Sequence, residues 1–331
     1  MTAHLAQVAF SVTDLKHTHQ FYQEVLGFEP AGGTAGFRGP LTSAATGLPD
    51  AAALCWWMVD RREFMQLEFF EFESPPVRKL PHDWRCNDIG YVAIGVWVAD
   101  IDTTRERVEQ AGCAQISSFC GTPGARRFSF RDPEGVLVEV MEDRLVEIES
   151  ARPALSLATQ SVRLSVPDLE KAARFWVDTL ALEPCSEVHL HTPGREGLWG
   201  MEDASIETLV LDADGCLIEL VQYKQPVGRP WPEGYRISDQ GLLNVALGYR
   251  DMDQFLEALE RVLSAGYTAN SEYLPIGPGG CVYCNDDQGF SVELLCSTGA
   301  AMDEAAGFVP RPTGTMTRGR DLGGAQASSS K

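Results

Sequence analysis

The chain has 331 residues, which suits two domains of ordinary size better than one small domain, because a domain averages roughly 150 residues. Hydrophobic residues make up 44% and charged residues 22%, values close to globular averages, so general disorder and fibrous architectures are excluded. The formal net charge of −20 repels phosphate groups and therefore disfavours nucleic acid and anionic membranes as partners.

The sequence also bears on location. No stretch approaches the roughly 20 apolar residues that cross a bilayer. The first residues, Met1 to Ala6, lack the basic and apolar segments of a secretory signal. The nine cysteines are scattered, and Cys281 and Cys284 form the only CxxC pair, whereas a zinc ribbon needs two such pairs. We therefore expect a cytoplasmic protein with reduced thiols.

Four segments along the chain begin with the same pattern, a short apolar strand followed by an aspartate and an amphipathic helix. The first strand runs from Leu5 to Val12, and Asp14 is predicted to cap a helix that ends at Gly27. Equivalent aspartates begin the other three helices, at Asp100, Asp168 and Asp251. Further strand-like runs follow each helix, so we predict four units of one strand, one helix and about three strands.

The landmarks of the first half return 154 positions later. Asp14 and Phe21, for example, return as Asp168 and Phe175. We predict an N-terminal domain of residues 1–147, a linker of residues 148–154 and a homologous C-terminal domain of residues 155–299. Residues 300–331 lose this periodicity and become rich in Gly and Ser, which predicts a flexible tail.

Each unit ends in a strand that carries one glutamate among apolar neighbours. These residues are Glu68, Glu139, Glu219 and Glu293. A charge in an apolar strand is costly unless it meets water, a metal or hydrogen-bond donors. One copy is compatible with an exposed outer face, which an antiparallel sheet tolerates. Because all four units repeat the pattern, we favour carboxylates that face a shared concave cleft.

Three motifs connect these units to a known family. They are Val12-x-Asp14-Leu15, Phe21-Tyr22-x3-Val25-Leu26-Gly27-Phe28 and Asp132-Pro133-Glu134-Gly135-x3-Glu139. They resemble the vicinal oxygen chelate superfamily of glyoxalases, extradiol dioxygenases and bleomycin resistance proteins, over residues 5–298. The resemblance implies an α+β fold of tandem glyoxalase-like domains, each with two βαβββ modules that form a partly open barrel around a cleft. It does not assign an activity, because the superfamily includes lyases, isomerases, oxygenases and binding proteins.

Metal-dependent members of that family place one ligand on the first strand of each module and one glutamate on its last strand. The matching positions are Gln7, Glu68, Ala93 and Glu139 in the N-terminal half, and Ser161, Glu219, Asn244 and Glu293 in the C-terminal half. None is histidine, so the two-histidine iron site of a ring-cleaving dioxygenase is not expected. Oxygen ligands suit Mg²⁺, Mn²⁺ or Ca²⁺. We expect no obligatory cofactor and at most a weakly bound divalent cation, on Gln7, Glu68 and Glu139 or on Glu219 and Glu293.

Without a metal, two neighbouring carboxylates repel each other, so one has a raised pKa and donates a proton while the other accepts one. We predict that Glu219 and Glu293 form such a catalytic pair in the C-terminal half. Asn244 and Ser161 would orient a substrate oxygen. The alternative is that these groups are hydrated and only line a binding pocket.

Four further side chains are candidates for substrate binding. His189 and His191 alternate on a segment that we predict to be a strand, so both would point to one face. Arg236 could clamp a carboxylate, although we favour a structural turn held by Asp239 as its explanation. Trp199 would contribute an apolar wall.

The leading hypothesis is a small-molecule enzyme with the proton chemistry of a lyase, isomerase or epimerase. It would act on an oxygenated, largely apolar metabolite in the C-terminal cleft. The alternative is a non-catalytic binding or sequestering protein of the bleomycin-resistance type, and the N-terminal half, which carries Ala93, could be a structural lobe. The only partner expected is a small-molecule ligand, while the substrate and the oligomeric state stay open.

Overall fold

Two open, curved β-sheets form most of the molecule. The computed structural model describes residues 3–114, 117–147 and 151–311, and the backbone of residues 316–317. Few helices accompany the sheets, and neither sheet closes into a barrel, which confirms the predicted α+β class. Within the described residues, no helix is long and apolar enough to cross a membrane.

The first two modules span most of the N-terminal half. The first contains β1 (His4–Ser11), α1 (Leu15–Phe21) with a π-helical extension (Tyr22–Leu26), β2 (Glu29–Arg38), α2 (Pro40–Thr46), β3 (Ala52–Val59) and β4 (Gln66–Ser74). The second contains β5 (Gly90–Val98), α3 (Ile101–Gln110), β6 (Arg127–Arg131) and β7 (Leu137–Met141). The second module therefore has two strands after its helix in the described range, one fewer than predicted.

The remaining modules follow residue 151. The third contains β8 (Leu157–Ser165), α4 (Leu169–Ala173) with a π-helical extension (Arg174–Thr179), β9 (Glu183–Pro184), a 3₁₀ turn (Glu196–Trp199), β10 (Ser205–Asp212) and β11 (Leu217–Gln225). The fourth contains β12 (Gly241–Tyr249), α5 (Met252–Ser264), β13 (Thr268–Ala269), β14 (Leu274–Ile276), β15 (Gly279–Asn285) and β16 (Ser291–Cys296). The chain continues with α6 (Ala300–Ala305) and β17 (Met316–Thr317).

The four predicted helix starts are confirmed. Each aspartate has extended backbone and accepts a hydrogen bond from the backbone N–H three residues later, which satisfies a donor that the first helical turn leaves free. Asp14, for example, accepts from His17 N at 2.9 Å. The first helical segment ends at Gly27, whose φ of 95° lies in the left-handed region that glycine adopts without strain.

Each sheet combines one module from each half. In the ten-stranded sheet A, β1 pairs antiparallel with β12, which joins the first module to the fourth. In the seven-stranded sheet B, β5 pairs antiparallel with β8, which joins the second module to the third. From the sequence, the predicted ligand positions of each half of the chain were placed in one site, and this grouping is wrong. Internal similarity reveals the four modules, but it does not reveal which first strands pair, because each offers the same kind of edge.

The domain boundaries predicted at residues 147 and 155 stay a prediction, and residues 148–150 of the predicted linker lie outside the described range. One cluster of buried side chains joins the two sheets through the helices. It contains Phe10 from sheet A, Val162 from sheet B, and Phe21 and Phe255 from two helices. The two halves thus share a core.

The prediction of a flexible tail from residue 300 is wrong for its first part. Residues 300–305 form α6, and Met302 and Phe308 are 3% and 1% exposed. Their apolar side chains cover part of sheet A, which their surrounding sequence of small and polar residues did not indicate. Residues 312–315 and 318–331 of the predicted tail lie outside the described range.

Two buried aspartates connect the halves. Asp88 accepts from Arg229 Nη2 at 2.7 Å, and Asp239 accepts from Arg78 Nη2 at 2.5 Å. The turn pair expected from the sequence, Arg236 with Asp239, is also present but longer, at 3.8 Å, and Arg85 lies 3.4 Å from Asp88 in the equivalent turn. The stronger partner of each aspartate therefore comes from the other half.

We expect Arg229→Met to lower the free energy of unfolding by about 2 kcal/mol, because the buried carboxylate of Asp88 keeps its backbone donors but loses its closest cation and retains only Arg85, at 3.4 Å. The matched control is Arg174→Met, which removes an exposed helical pair with Glu170 and should change stability by less than about 0.5 kcal/mol. Urea denaturation of both variants measures this. Equal effects would contradict a cross-half role for Arg229.

Candidate functional site

The concave face of sheet A carries four of the predicted ligand positions. Ala9 on β1 lies opposite Glu68 on one neighbouring strand and opposite Asn244 on the other. Ala246 on β12 likewise lies opposite both Gln7 and Glu293. Residues directly opposite each other point to the same face of a sheet, so all four polar side chains share one face, with two small alanines between them. We call this face the sheet A cleft.

Glu68 is 5% exposed, and its Oε1 accepts from Trp57 Nε1 at 2.8 Å and from Cys55 Sγ at 3.5 Å. Both donors lie on β3, next to β4, and project to the same face. Burial raises the pKa of Glu68 to about 7, although the two hydrogen bonds oppose the rise. The side chain is thus close to half protonated at neutral pH.

Glu293 is 6% exposed and accepts hydrogen bonds from Cys281 and Tyr283 on β15. Burial, followed by the charge of Glu68, raises the pKa of Glu293 well above its ordinary value. Among the described residues, no arginine, lysine or histidine pairs with either carboxylate. The two carboxyl groups therefore share a dry environment without a compensating positive charge.

Two amides complete the sheet A cleft. Asn244 is 1% exposed, and neither its oxygen nor its nitrogen has a hydrogen-bond partner among the described residues. Oε1 of Gln7, which is 5% exposed, also lacks a partner there. Buried amide groups are normally satisfied. These two are therefore available to a molecule that enters the cleft.

Apolar side chains flank the polar row on both sides. Leu48, which follows α2, packs with Phe70 and Phe72 at one end. Phe64 and Phe308 pack together at the other end, with a ring separation of 4.6 Å. A ligand between them would meet apolar walls and a polar floor.

The concave face of sheet B, the sheet B cleft, has a different charge balance. Glu219 accepts from Arg163 Nε at 2.5 Å and from His191 N at 2.7 Å. Glu139 accepts from Arg163 Nη2 and from Arg127 Nη1, each at 3.3 Å. Burial raises the pKa of Glu219, and the Arg163 guanidinium opposes that rise. Both carboxylates of this cleft thus have buried arginine partners.

The side chain of Arg163 occupies the middle of the sheet B cleft. It lies opposite Ala93 and Glu219 on the two neighbouring strands and stacks 4.7 Å from the ring of Trp199. Arg163 stands 154 positions after Ala9, so the same place in the repeat is alanine in one cleft and arginine in the other. The long side chain of Arg163 thus stands where sheet A has only the methyl group of Ala9.

The predicted catalytic set is split between the two clefts. Asn244 and Glu293 lie in the sheet A cleft, whereas Ser161 and Glu219 lie in the sheet B cleft. The predicted metal set is split in the same way, because Gln7 and Glu68 lie on sheet A while Glu139 lies on sheet B beside Ala93. The physical reason is the pairing of β1 with β12 across the halves.

The expected strand around His189 and His191 is wrong. The segment is irregular, His189 is exposed, and His191 is 4% exposed and stacked 3.6 Å from Trp199. Burial, together with Arg163, lowers the pKa of His191 to about 2, so its ring is neutral. Trp199 donates to Glu139 at 3.0 Å and fills the sheet B cleft instead of lining an open wall.

Arg236 lies in the turn before β12. Its Nη2 is 3.8 Å from Asp239 Oδ1, and its backbone N donates to Asp239 at 2.9 Å. These contacts are those of the structural turn that the sequence left as an alternative. A role in carboxylate binding stays a prediction.

Sequence reasoning missed the donors around the sheet A carboxylates. These donors are Trp57, Cys55, Cys281 and Tyr283, none of which is among the site residues predicted from the sequence. A signal was present, since Cys55 and Trp57 alternate on one strand, as Cys281 and Tyr283 do on another. Which face each pair shares with a glutamate depends on strand register, which the sequence does not show.

Known proteins agree with this architecture. The sequence model of the Glyoxalase/Bleomycin resistance protein/Dioxygenase superfamily matches residues 4–140 and again residues 159–294. No curated protein sequence is significantly similar to the chain.

Two solved structures share the fold. A Bacillus subtilis subsp. subtilis str. 168 protein named as a candidate dioxygenase has a TM-score of 0.62 and 14% identity, covering 91% of this chain and 87% of its own. Glyoxalase I from Zea mays has a TM-score of 0.59 and 15% identity, covering 89% of this chain and 92% of its own. At such identities the likeness shows the fold alone. With matches over most of both halves, the chain belongs to the glyoxalase/bleomycin resistance protein/dioxygenase superfamily as a tandem two-domain member.

Proposed function

We propose that this protein is a small-molecule enzyme of the glyoxalase-like type that transfers a proton within an oxygenated, largely apolar substrate bound in the sheet A cleft. One observation carries the proposal. Glu68 and Glu293 are buried close together without a cationic partner among the described residues, whereas both glutamates of the sheet B cleft are paired with arginines. The sheet B cleft is then structural.

A buried carboxylate pair without compensation lowers stability, since ionisation in a dry site is opposed by both desolvation and mutual repulsion. A purely structural pair of glutamates would be more stable with arginine partners, as in sheet B. Groups with strongly perturbed pKa values in a cleft are typical of active sites. This contrast supports chemistry in sheet A.

The two carboxyl groups differ in protonation. Glu68, with a pKa of about 7, is available in its ionised form and would accept a proton from a carbon next to the substrate carbonyl. Glu293, whose pKa is raised well above its ordinary value by burial and by the charge of Glu68, would hold its proton and donate it to the carbonyl oxygen as the C–H bond breaks. The resulting enol would give the product when protonated Glu68 donates a proton to carbon and ionised Glu293 accepts a proton from an enol hydroxyl. Atoms and charge balance without an external reactant.

The amides would orient the substrate. Nδ2 of Asn244 has a free N–H pair that would donate to a substrate oxygen, and Oε1 of Gln7 would accept from a substrate hydroxyl. Each buried group would gain the partner that it lacks in the structure. The apolar side chains at both ends of the cleft favour a substrate with little charge.

The family also includes proteins that use divalent cations, and the sheet A donors fit an oxygen-preferring ion. Two carboxylates and the unpartnered amide oxygens of Gln7 and Asn244 form a donor set suited to Mg²⁺ or Mn²⁺. The described residues contain no cluster of three or more His, Cys, Asp or Glu that could hold an ion, so binding would be weak. When bound, such an ion would polarise a substrate oxygen and favour ionised Glu68 and Glu293.

A binding or sequestering function is the second candidate. It is favoured by the near-complete burial of the polar row, because a dry cleft that holds its ligand with hydrogen bonds needs no acid or base. Turnover separates the two candidates.

We expect the wild-type protein to catalyse deuterium incorporation next to the carbonyl of α-hydroxyketones in D₂O. Glu68→Gln and Glu293→Gln should each slow this exchange by roughly 10²–10⁴-fold, the usual contribution of a general acid or base. Proton NMR on a panel of alkyl and aryl α-hydroxyketones measures the rates. The matched control is Glu73→Gln, which changes an exposed glutamate on the same strand β4 and should leave exchange unchanged.

Retained exchange in both Glu68→Gln and Glu293→Gln would contradict the assignment. Binding of panel members without exchange by the wild type would instead favour the sequestering function. Glu139→Gln, in the sheet B cleft, should keep exchange in the fraction of protein that folds.

We also expect Mn²⁺ to bind more tightly at pH 8 than at pH 6. Burial raises the pKa of Glu68 to about 7 and the pKa of Glu293 well above its ordinary value, so protons must leave both groups before the cation binds. Isothermal titration calorimetry at the two pH values measures the difference, and Glu68→Gln should remove most of it. Equal affinity at both pH values would show that these carboxylates do not hold the ion.

A further inference from the structure

The strand order of sheet A requires the end of the chain to cross the sheet. β16 lies near one edge, next to β12 and β15, whereas β17 pairs in parallel with β2 at the opposite edge. The chain between them must pass over the intervening strands. We call residues 299–311 of this crossing the C-terminal strap. It lies beyond residue 294, where the family match ends.

The strap crosses on the side of the sheet A cleft. Gly307 lies so close to Trp57 that a Cβ atom there would be 2.4 Å from an indole carbon. Its φ of 80° is also in the left-handed region, so glycine is favoured for two reasons. Nε2 of Gln66 donates to the carbonyl of Ala306 at 3.0 Å, and Phe308 packs on Phe64.

These contacts place the strap beside the reactive groups. Trp57, which Gly307 touches, donates directly to Glu68. Gln66 precedes Glu68 by two residues and projects to the same face. Phe308 belongs to the same buried cluster as Cys281, the residue that donates to Glu293. The strap therefore forms the wall at one end of the polar row.

The strap is held by side-chain contacts and single hydrogen bonds. Asp303 accepts from Arg250 at 2.5 Å and from Ser297 at 2.6 Å, and Phe308 is anchored through its ring and through its carbonyl, which accepts from Arg152. Arg311 N also donates to the carbonyl of Pro30 at 2.6 Å. Val309 is 38% exposed. Residues 299–311 form no strand pairing, so this segment can open without unfolding of the sheet beneath it.

We propose that the C-terminal strap is the specificity-determining wall of the sheet A cleft and that ligands enter when it is displaced. Phe308 sets the length of ligand that the closed cleft accepts, so a short oxygenated molecule is retained and a longer one requires the strap to move. The word substrate for such a ligand rests on the proposed function. The opening of the strap does not, because it is measurable without turnover.

The chain contains its own reporters of opening. The thiol of Cys281 faces the sheet A cleft in the cluster of Phe308, whereas Cys284 on the same strand faces the opposite side, in the main core. Both are buried. Opening of the strap exposes the first thiol, while only unfolding of the sheet exposes the second.

The experiment follows alkylation of full-length protein by iodoacetamide, with the rate at each cysteine measured by peptide mass spectrometry. Phe308→Ala should speed alkylation of Cys281 by about tenfold or more, because removal of a buried phenylalanine weakens the closed state by that factor. Asp303→Asn, which weakens the other anchor, should act in the same direction. Cys284 should stay unreactive, and Val309→Ala is the matched control without effect.

A bulky fluorescein maleimide adds a test of size. The maleimide should not react with Cys281 in the wild type. In Phe308→Ala its reaction rate with Cys281 should increase by a larger factor than the rate of iodoacetamide does. An unchanged rate at Cys281 in both anchor variants would overturn the proposal. An equal rise at Cys281 and Cys284 would also overturn it, because the strap would then open only with the whole sheet. Neither result depends on whether deuterium exchange is found.

Discussion

The compensation of buried carboxylate charge distinguishes the two clefts of this protein. Both present two glutamates from the last strands of their modules, and both bury them. At one place in the repeat, sheet B has Arg163 and sheet A has Ala9. The arginine joins Glu139 and Glu219 into an ion-paired cluster, whereas the alanine leaves Glu68 and Glu293 without a cation, and burial raises the pKa of both. The sheet B cleft is therefore interpreted as structural, and the sheet A cleft is the candidate reaction site.

Much of the fold follows from local sequence. Asp14 and its three counterparts begin helices because their side chains satisfy free N–H groups, and this depends only on neighbouring residues. The pairing of β1 with β12 depends instead on competition between four similar strand edges. For this reason the sequence identified Glu68 and Glu293 as candidates but assigned them to different sites. Side-chain partners such as Trp57 depend on register in the same way.

The residues that enclose the sheet A cleft were harder to predict from the sequence than the polar residues on the sheet itself. Residues 299–311 are rich in small residues, and such a sequence predicts an unstructured tail. The segment is ordered by contacts with distant parts of the chain, which the local sequence does not reveal. Gly307 fits against Trp57, and Phe308 fits against Phe64. The strap encloses the polar row, and enclosure strengthens the electrostatic interactions on which acid–base chemistry depends. Access and reactivity are therefore linked through the same few side chains.

The most direct test of this account is the free energy of unfolding at pH 8 for two variants. Glu293→Gln should stabilise the protein, because folding raises the pKa of Glu293, so at pH 8, above the ordinary pKa of a glutamate, this carboxyl group favours the unfolded chain. Arg163→Met should destabilise it by about 3 kcal/mol, because Glu139 and Glu219 lose the buried cation that they share. Shifts of the same sign in both variants would contradict the distinction between a strained site and a paired one.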